Sequence, residues 1–127
     1  MHIDRIDHFV LTVRDVDATI DFYTRVLGME AETFGAQGRK ALRFGHQKIN
    51  LHVAGKEFEP KAHVPVPGAL DLCFIAAIPL EQVIARLNDA RWPIIEGPIM
   101  RTGATGPIRS VYVRDPDLNL IEISELA

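Results

Sequence analysis

The chain has 127 residues, 47% hydrophobic and 24% charged, which is the length and balance of one globular domain and excludes a disordered or fibrous chain. Its 14 Lys and Arg against 17 Asp and Glu leave a net charge of −3, so a nucleic-acid partner and a polybasic membrane anchor are not expected. Cys73 is the single cysteine, no apolar run approaches the ~20 residues of a membrane span, and Met1 is followed by His2, Asp4, Arg5 and Asp7, so the expected setting is the reducing cytoplasm.

Asp7 to Val13 alternates as a half-buried strand, with Phe9, Leu11 and Val13 on one face and His8, Val10 and Thr12 on the other. Asp15 and Asp17 are candidate N-caps for a helix whose apolar stripe runs through Ile20, Tyr23 and Leu27, widened by Phe22 and Val26. Gly28 stands where a left-handed C-cap is wanted. Strands are expected at 30–34, 41–44 and 48–53, with Gly45-His46 as the turn between the last two.

Residues 54–68 carry three prolines and two glycines and break every periodicity, which makes them a linker. The pattern then restarts. A strand is expected over 70–76, with Leu72 and Phe74 on one face and Asp71, Cys73 and Ile75 on the other. Pro79 opens a helix whose Leu80, Val83, Ile84 and Leu87 share a stripe. Ile94-Ile95 is a short strand candidate, residues 97–107 read as a long loop, and strands at 110–113 and 120–124 flank an Asp115-Pro116-Asp117 turn. The expectation is therefore an α+β chain of two βαβββ modules, about 1–54 and 69–127, paired around a pseudo-twofold axis as one domain.

In each module one strand face packs under the helix, and the opposite faces are expected to line a shared concave surface. The first strands put His8 and Asp71 at matching positions there, and the last strands put Asn50 and Glu122. Lys48 and His52 flank Asn50, Leu120 and Ser124 flank Glu122, and Arg39, Arg43, Ser110 and Tyr112 point the same way. One imidazole and two carboxylates suit a divalent ion such as Mn, Fe, Ni or Zn. Taken singly, a histidine or acid on the polar face of a strand is usually just solvated. Cys73 has no activating base and reads as a packing residue. The Thr102-Gly103-Ala104-Thr105-Gly106 loop lacks the Lys-Ser/Thr ending of a phosphate loop, which excludes nucleotide binding by that route. Arg101 and Arg109 flank this loop, which either closes over an anionic substrate or is an ordinary connection.

Phe22-Tyr23-Thr24-Arg25-Val26-Leu27-Gly28-Met29 resembles the helix-to-strand corner of the vicinal oxygen chelate superfamily. That superfamily holds glyoxalase I, extradiol dioxygenases, fosfomycin-resistance enzymes and bleomycin-binding proteins. Ser110 to Asp117, continuing through Asn119-Leu120-Ile121-Glu122, resembles its C-terminal signature, a DPDG turn leading to a metal-binding Glu. The likeness spans the whole chain and is greatest to the small glyoxalase-domain proteins related to biphenyl-diol dioxygenases.

The resemblance implies the paired βαβββ (glyoxalase/bleomycin resistance/dihydroxybiphenyl dioxygenase) fold, a homodimer, and metal positions at His8, Asn50, Asp71 and Glu122. Asn50 stands where glyoxalase I has a carboxylate. Asp71 stands where most members have a second histidine, and it serves either as a ligand or as a cap on a neighbouring loop. His52 is the residue that would restore a second imidazole, and Leu118 replaces the glycine of the turn. The expected metal set is thus His8, Asp71 and Glu122 with His52. Tyr112 and Glu122 are expected to act in catalysis, and Arg43, Arg101, Arg109 and Ser110 to hold a small-molecule substrate, which the arginines would favour as an anion. Lyase, isomerase, ring-cleaving dioxygenase and epoxide-opening reactions all fit. A metal-free protein that sequesters a drug or metabolite, as the bleomycin-resistance relatives do, is the alternative.

Overall fold

Period-2 alternation sorts the first strand, β1 (His8–Val13), into a buried Leu11/Val13 side and a more open His8/Val10 side in the computed structural model, which describes Met1–Ala127. The chain divides into two units, Met1–Pro67 and Gly68–Ala127, with the same order of elements in each.

In the first unit, Asp15 caps α1 (Val16–Asp21), its carboxylate accepting from the Ala18 amide at 3.1 Å. The helix does not continue as a regular α-helix. Phe22–Val26 widens into a π turn, in which Leu27 N–H reaches back to the Phe22 carbonyl at 3.2 Å. That extra residue rotates the buried face. Thr19, Phe22, Tyr23 and Val26 are buried, while Ile20 and Leu27, expected in the stripe, are only half-buried. Gly28 follows with φ +80°, the left-handed cap expected there. Strands β2 (Glu30–Phe34), β3 (Arg39–Phe44) and β4 (Gln47–Val53) complete a sheet of order β1-β4-β3-β2, in which β1 and β4 run parallel and the other pairs antiparallel.

The second unit repeats this arrangement with β5 (Asp71–Ile75), α2 (Leu80–Asp89), β6 (Glu96–Thr102), β7 (Pro107–Arg114) and β8 (Leu120–Leu126), in the order β5-β8-β7-β6. Leu80, Val83 and Leu87 bury the apolar stripe of α2. Pro79 sits one position before the helix, and the Glu125 carboxylate from β8 accepts from the Leu80 amide at 2.7 Å to serve as the cap. The long loop expected over 97–107 is instead the strand β6 and its hairpin turn. Gly97-Pro98, which read as breakers, fall in a register shift between Glu96 and Ile99, and Ile99–Thr102 then pair with Pro107–Ser110. Gly97 has φ +100°, and a Cβ there would lie 2.4 Å from the Ser110 carbonyl, so only glycine lets β6 approach β7 this closely. No helix is long and apolar enough to cross a membrane.

Candidate functional site

The turn before β8 sets the geometry of the second unit. Asp115, 2% exposed, accepts from the Asp117 and Asn119 amides, both at 2.9 Å, and from Asn119 Nδ2 at 2.8 Å. Asn119 Oδ1 then accepts from the Leu70 amide at 2.9 Å, which ties the start of β5 to the turn. Parallel pairing follows with Asp71 opposite Leu120 and Cys73 opposite Glu122. Because side chains alternate, Asp71 and Glu122 emerge on one face as diagonal neighbours.

On β7, Tyr112 pairs with Glu122 and Ser110 with Ser124, adding their side chains to that face. The result is a pocket of about 360 Å³ lined by Asp71, Ile95, Glu96, Arg101, Tyr112, Arg114, Leu120 and Glu122. The fully buried Ser110 donates to Glu122 Oε2 at 2.6 Å, and Ser124 lies 2.6 Å behind it. Ser110 has one proton and commits it to Glu122, so Ser124 donates to Ser110. Arg101 Nε donates to the Tyr112 hydroxyl at 3.0 Å and its Nη2 to Glu96 at 3.2 Å. Burial pushes the Cys73 thiol above its ordinary range, the reverse of what a nucleophile needs.

Of the arginines expected near a substrate, only Arg101 lines this pocket. Arg109 alternates to the helix side of β7, where it pairs with Glu81 at 2.7 Å and Glu125 at 3.3 Å. Arg43, in the first unit, is paired with Glu32 at 2.9 Å. Glu96 was not legible as a pocket residue, because its segment read as irregular and only the bulge returns it to β7.

His8, Asn50 and His52 belong to the first unit. His8 is exposed, its Nδ1 2.8 Å from Asp7 Oδ2. His52 is buried, and Nη2 of Arg39 donates to its Nε2 at 3.2 Å. Desolvation, and after it the Arg39 charge, hold the imidazole below its ordinary pKa of 6.5. His52 is therefore a neutral acceptor with the nitrogen facing Arg39 already engaged. Register aligns the two units: Val10 opposite Asn50 matches Cys73 opposite Glu122, so Asn50 holds the place of Glu122 and His8 that of Asp71.

The duplicated βαβββ order, together with the acid-bearing last strand after its Asp-Pro-Asp turn, agrees with a match of residues 5–123 to the Glyoxalase/Bleomycin resistance protein/Dioxygenase superfamily. The chain belongs to this superfamily. It is 60% identical to virulence protein STM3117 of Salmonella typhimurium over 125 residues, covering 98% of this chain and 86% of that protein. A crystal structure of that virulence protein superposes with a TM-score of 0.97 at 59% identity, over the full length of both chains. The glyoxalase domain-containing protein RDO1 of Mycosarcoma maydis is 60% identical over 119 residues, covering 94% of this chain and 66% of that protein. An integron cassette protein from the mobile metagenome of V. cholerae, VCH_CASS1, has a TM-score of 0.97 at 54% identity, over 100% of this chain and 98% of that one.

Superfamily membership brings the question of a divalent ion. No three His, Cys, Asp or Glu side chains are grouped to hold one; of the three carboxylates that line the pocket of the second unit, Glu96 is paired with Arg101, which leaves Asp71 and Glu122. Those two fit the carboxylate share of an oxygen-rich set, and the Ser110 bond orients Glu122 as outer-sphere partners orient ligating carboxylates.

Proposed function

We propose that the chain is a divalent-metal-dependent enzyme that takes a small molecule by two adjacent oxygens, in a lyase, isomerase or ring-cleaving oxygenase reaction. The observation that supports this reading is one pocket with three carboxylates, a phenol and two guanidinium groups, in which Glu122 is held from behind by a fully buried hydroxyl. Asp71 and Glu122 are the proposed carboxylate ligands and His8 the imidazole. His52 is a further candidate that must first release Arg39. When bound, the ion supplies Lewis-acid polarisation of the paired substrate oxygens.

The chain's own side chains supply the rest. Ser110 occupies Glu122 Oε2 and leaves Oε1 unengaged by that bond. Arg101 donates into the Tyr112 oxygen, which leaves the phenol's own O–H to give a proton or a hydrogen bond to substrate. Glu96 shares the same guanidinium and so fixes the direction from which Arg101 reaches Tyr112. A homodimer is the proposed assembly.

Elemental analysis of protein purified without chelator tests the proposal. The expected result is a stoichiometric divalent ion that Glu122→Ala protein lacks. Wild-type protein that carries none, and takes none up on dialysis against Mn²⁺ or Ni²⁺, overturns it.

A further inference from the structure

The register that places Asn50 where Glu122 stands also places Lys48 where Leu120 stands, and Arg39 and His52 where Ser110 and Ser124 stand. The equivalent faces of the two units therefore differ in charge. One presents Asp71 and Glu122; the other presents Arg39 and Lys48.

Neither of these two cations forms an ion pair. Arg43, on the same sheet face, is paired with Glu32, and Lys61 in the following segment is paired with Glu59. Arg39 and Lys48 rest on aromatic rings instead. Lys48 Nζ lies 3.8 Å from the Phe34 centroid, and Arg39 Cζ lies 5.4 Å from Phe34 and 4.6 Å from Phe58. Two cations against one ring repel each other, and a single anion relieves both at once.

The hydrogen bonds point the same way. Arg39 spends Nη2 on His52, which fixes the guanidinium, while its buried Nε has no acceptor in the chain. A buried donor left without an acceptor costs free energy that an arriving oxygen recovers. Asn50 Oδ1 and Glu57 Oε2 are likewise buried without partners. Glu57 and Glu59 act on His52 at longer range, and neither forms an ion pair with Arg39 or Lys48.

We propose that this face of the first unit binds a small organic acid, its carboxylate taken by Arg39 and Lys48 and its flat apolar body lying against Phe34 and Phe58. Charge and shape both matter: the guanidinium and ammonium select the anion, and the two rings favour a planar body over a bare inorganic ion. Arg39 and Lys48 are not proposed ligands of the ion, and the site requires His52 to stay on Arg39 rather than on the metal.

Titration of the ¹⁵N-labelled full chain with sodium benzoate, and in parallel with neutral benzamide, tests the proposal. Benzoate is expected to saturate in the millimolar range or tighter and to shift amides of β2, β3 and β4, with benzamide at least about tenfold weaker. Lys48→Gln and Arg39→Gln should each weaken benzoate about tenfold. Lys48 is not buried in the core, so its variant keeps the test open if Arg39→Gln does not fold. Equal binding of benzamide and benzoate, shifts confined to β6–β8, or benzoate binding unaffected by Lys48→Gln each overturn the proposal.

Discussion

Asp115 and Asn119 are joined three times: the Asn119 amide and its Nδ2 donate to the Asp115 carboxylate at 2.9 and 2.8 Å, and the Asp115 amide donates to the Asn119 backbone carbonyl at 3.1 Å. The Asp115 carboxylate also accepts from the Asp117 amide, and Asn119 Oδ1 passes the constraint on by accepting from the Leu70 amide. The register that puts Asp71 beside Glu122 depends on this turn. Asp115→Ala strands three buried donors, at about 1 kcal/mol or more each, so urea unfolding should show a loss of about 3 kcal/mol. Glu122→Ala, which strands only the Ser110 hydroxyl, should cost clearly less.

Leu118 occupies the same turn at φ +69°. A β-carbon in the left-handed region costs about 1–2 kcal/mol, and glycine there regains most of it at some expense in unfolded-chain entropy. Leu118 is exposed and contributes little packing. Leu118→Gly should therefore stabilise the protein by about 0.5–1 kcal/mol, read as a Tm a few degrees higher. An unchanged or lower Tm would show that the leucine makes a contact that matters.

The strands were the most legible part of the sequence, because alternation is a local signal that burial enforces: β2 has the expected bounds, and β1, β4 and β5 lie within a residue of theirs. Two misreadings share a cause. The buried stripe of the first helix shifted because a π turn changes the period, and β6 was hidden because a bulge absorbs the Gly-Pro that locally signals a loop. At the candidate site, alternation put Asp71, Tyr112 and Glu122 on one face correctly. The arginines were not legible. Arg109 and Arg43 are claimed by Glu81, Glu125 and Glu32, and that choice is made by neighbouring strands and helix, not by sequence spacing.

His52 gives a pH dependence with a definite sign. Its pKa is depressed in the folded chain, so between the ordinary value of 6.5 and the lower folded value the unfolded chain binds more protons. Stability from this group is present above 6.5 and is lost as pH falls through that window. The urea midpoint of the wild type should drop from about pH 7.5 to about pH 5.5 more steeply than that of His52→Gln, which keeps an acceptor for Arg39 and cannot titrate. Parallel slopes would remove His52 as the source.

Assembly is tested by mass. Multi-angle light scattering at micromolar concentration should give twice the 14.2 kDa of the chain. A monomer mass across that range would contradict the proposed homodimer.

The most direct test is the melting temperature of chelator-treated protein with and without added Mn²⁺, Fe²⁺, Ni²⁺ or Zn²⁺, since a ligand that binds the native state stabilises it according to its concentration over Kd. At least one ion should raise Tm, with the rise abolished in Asp71→Ala, Glu122→Ala and His8→Ala and intact in His63→Ala. Ser110→Ala should need about 10–100-fold more metal for the same rise. A Tm unmoved by every ion would contradict the metal reading and leave the pocket of Asp71, Arg101, Tyr112 and Glu122 as a metal-free binding site for a drug or metabolite.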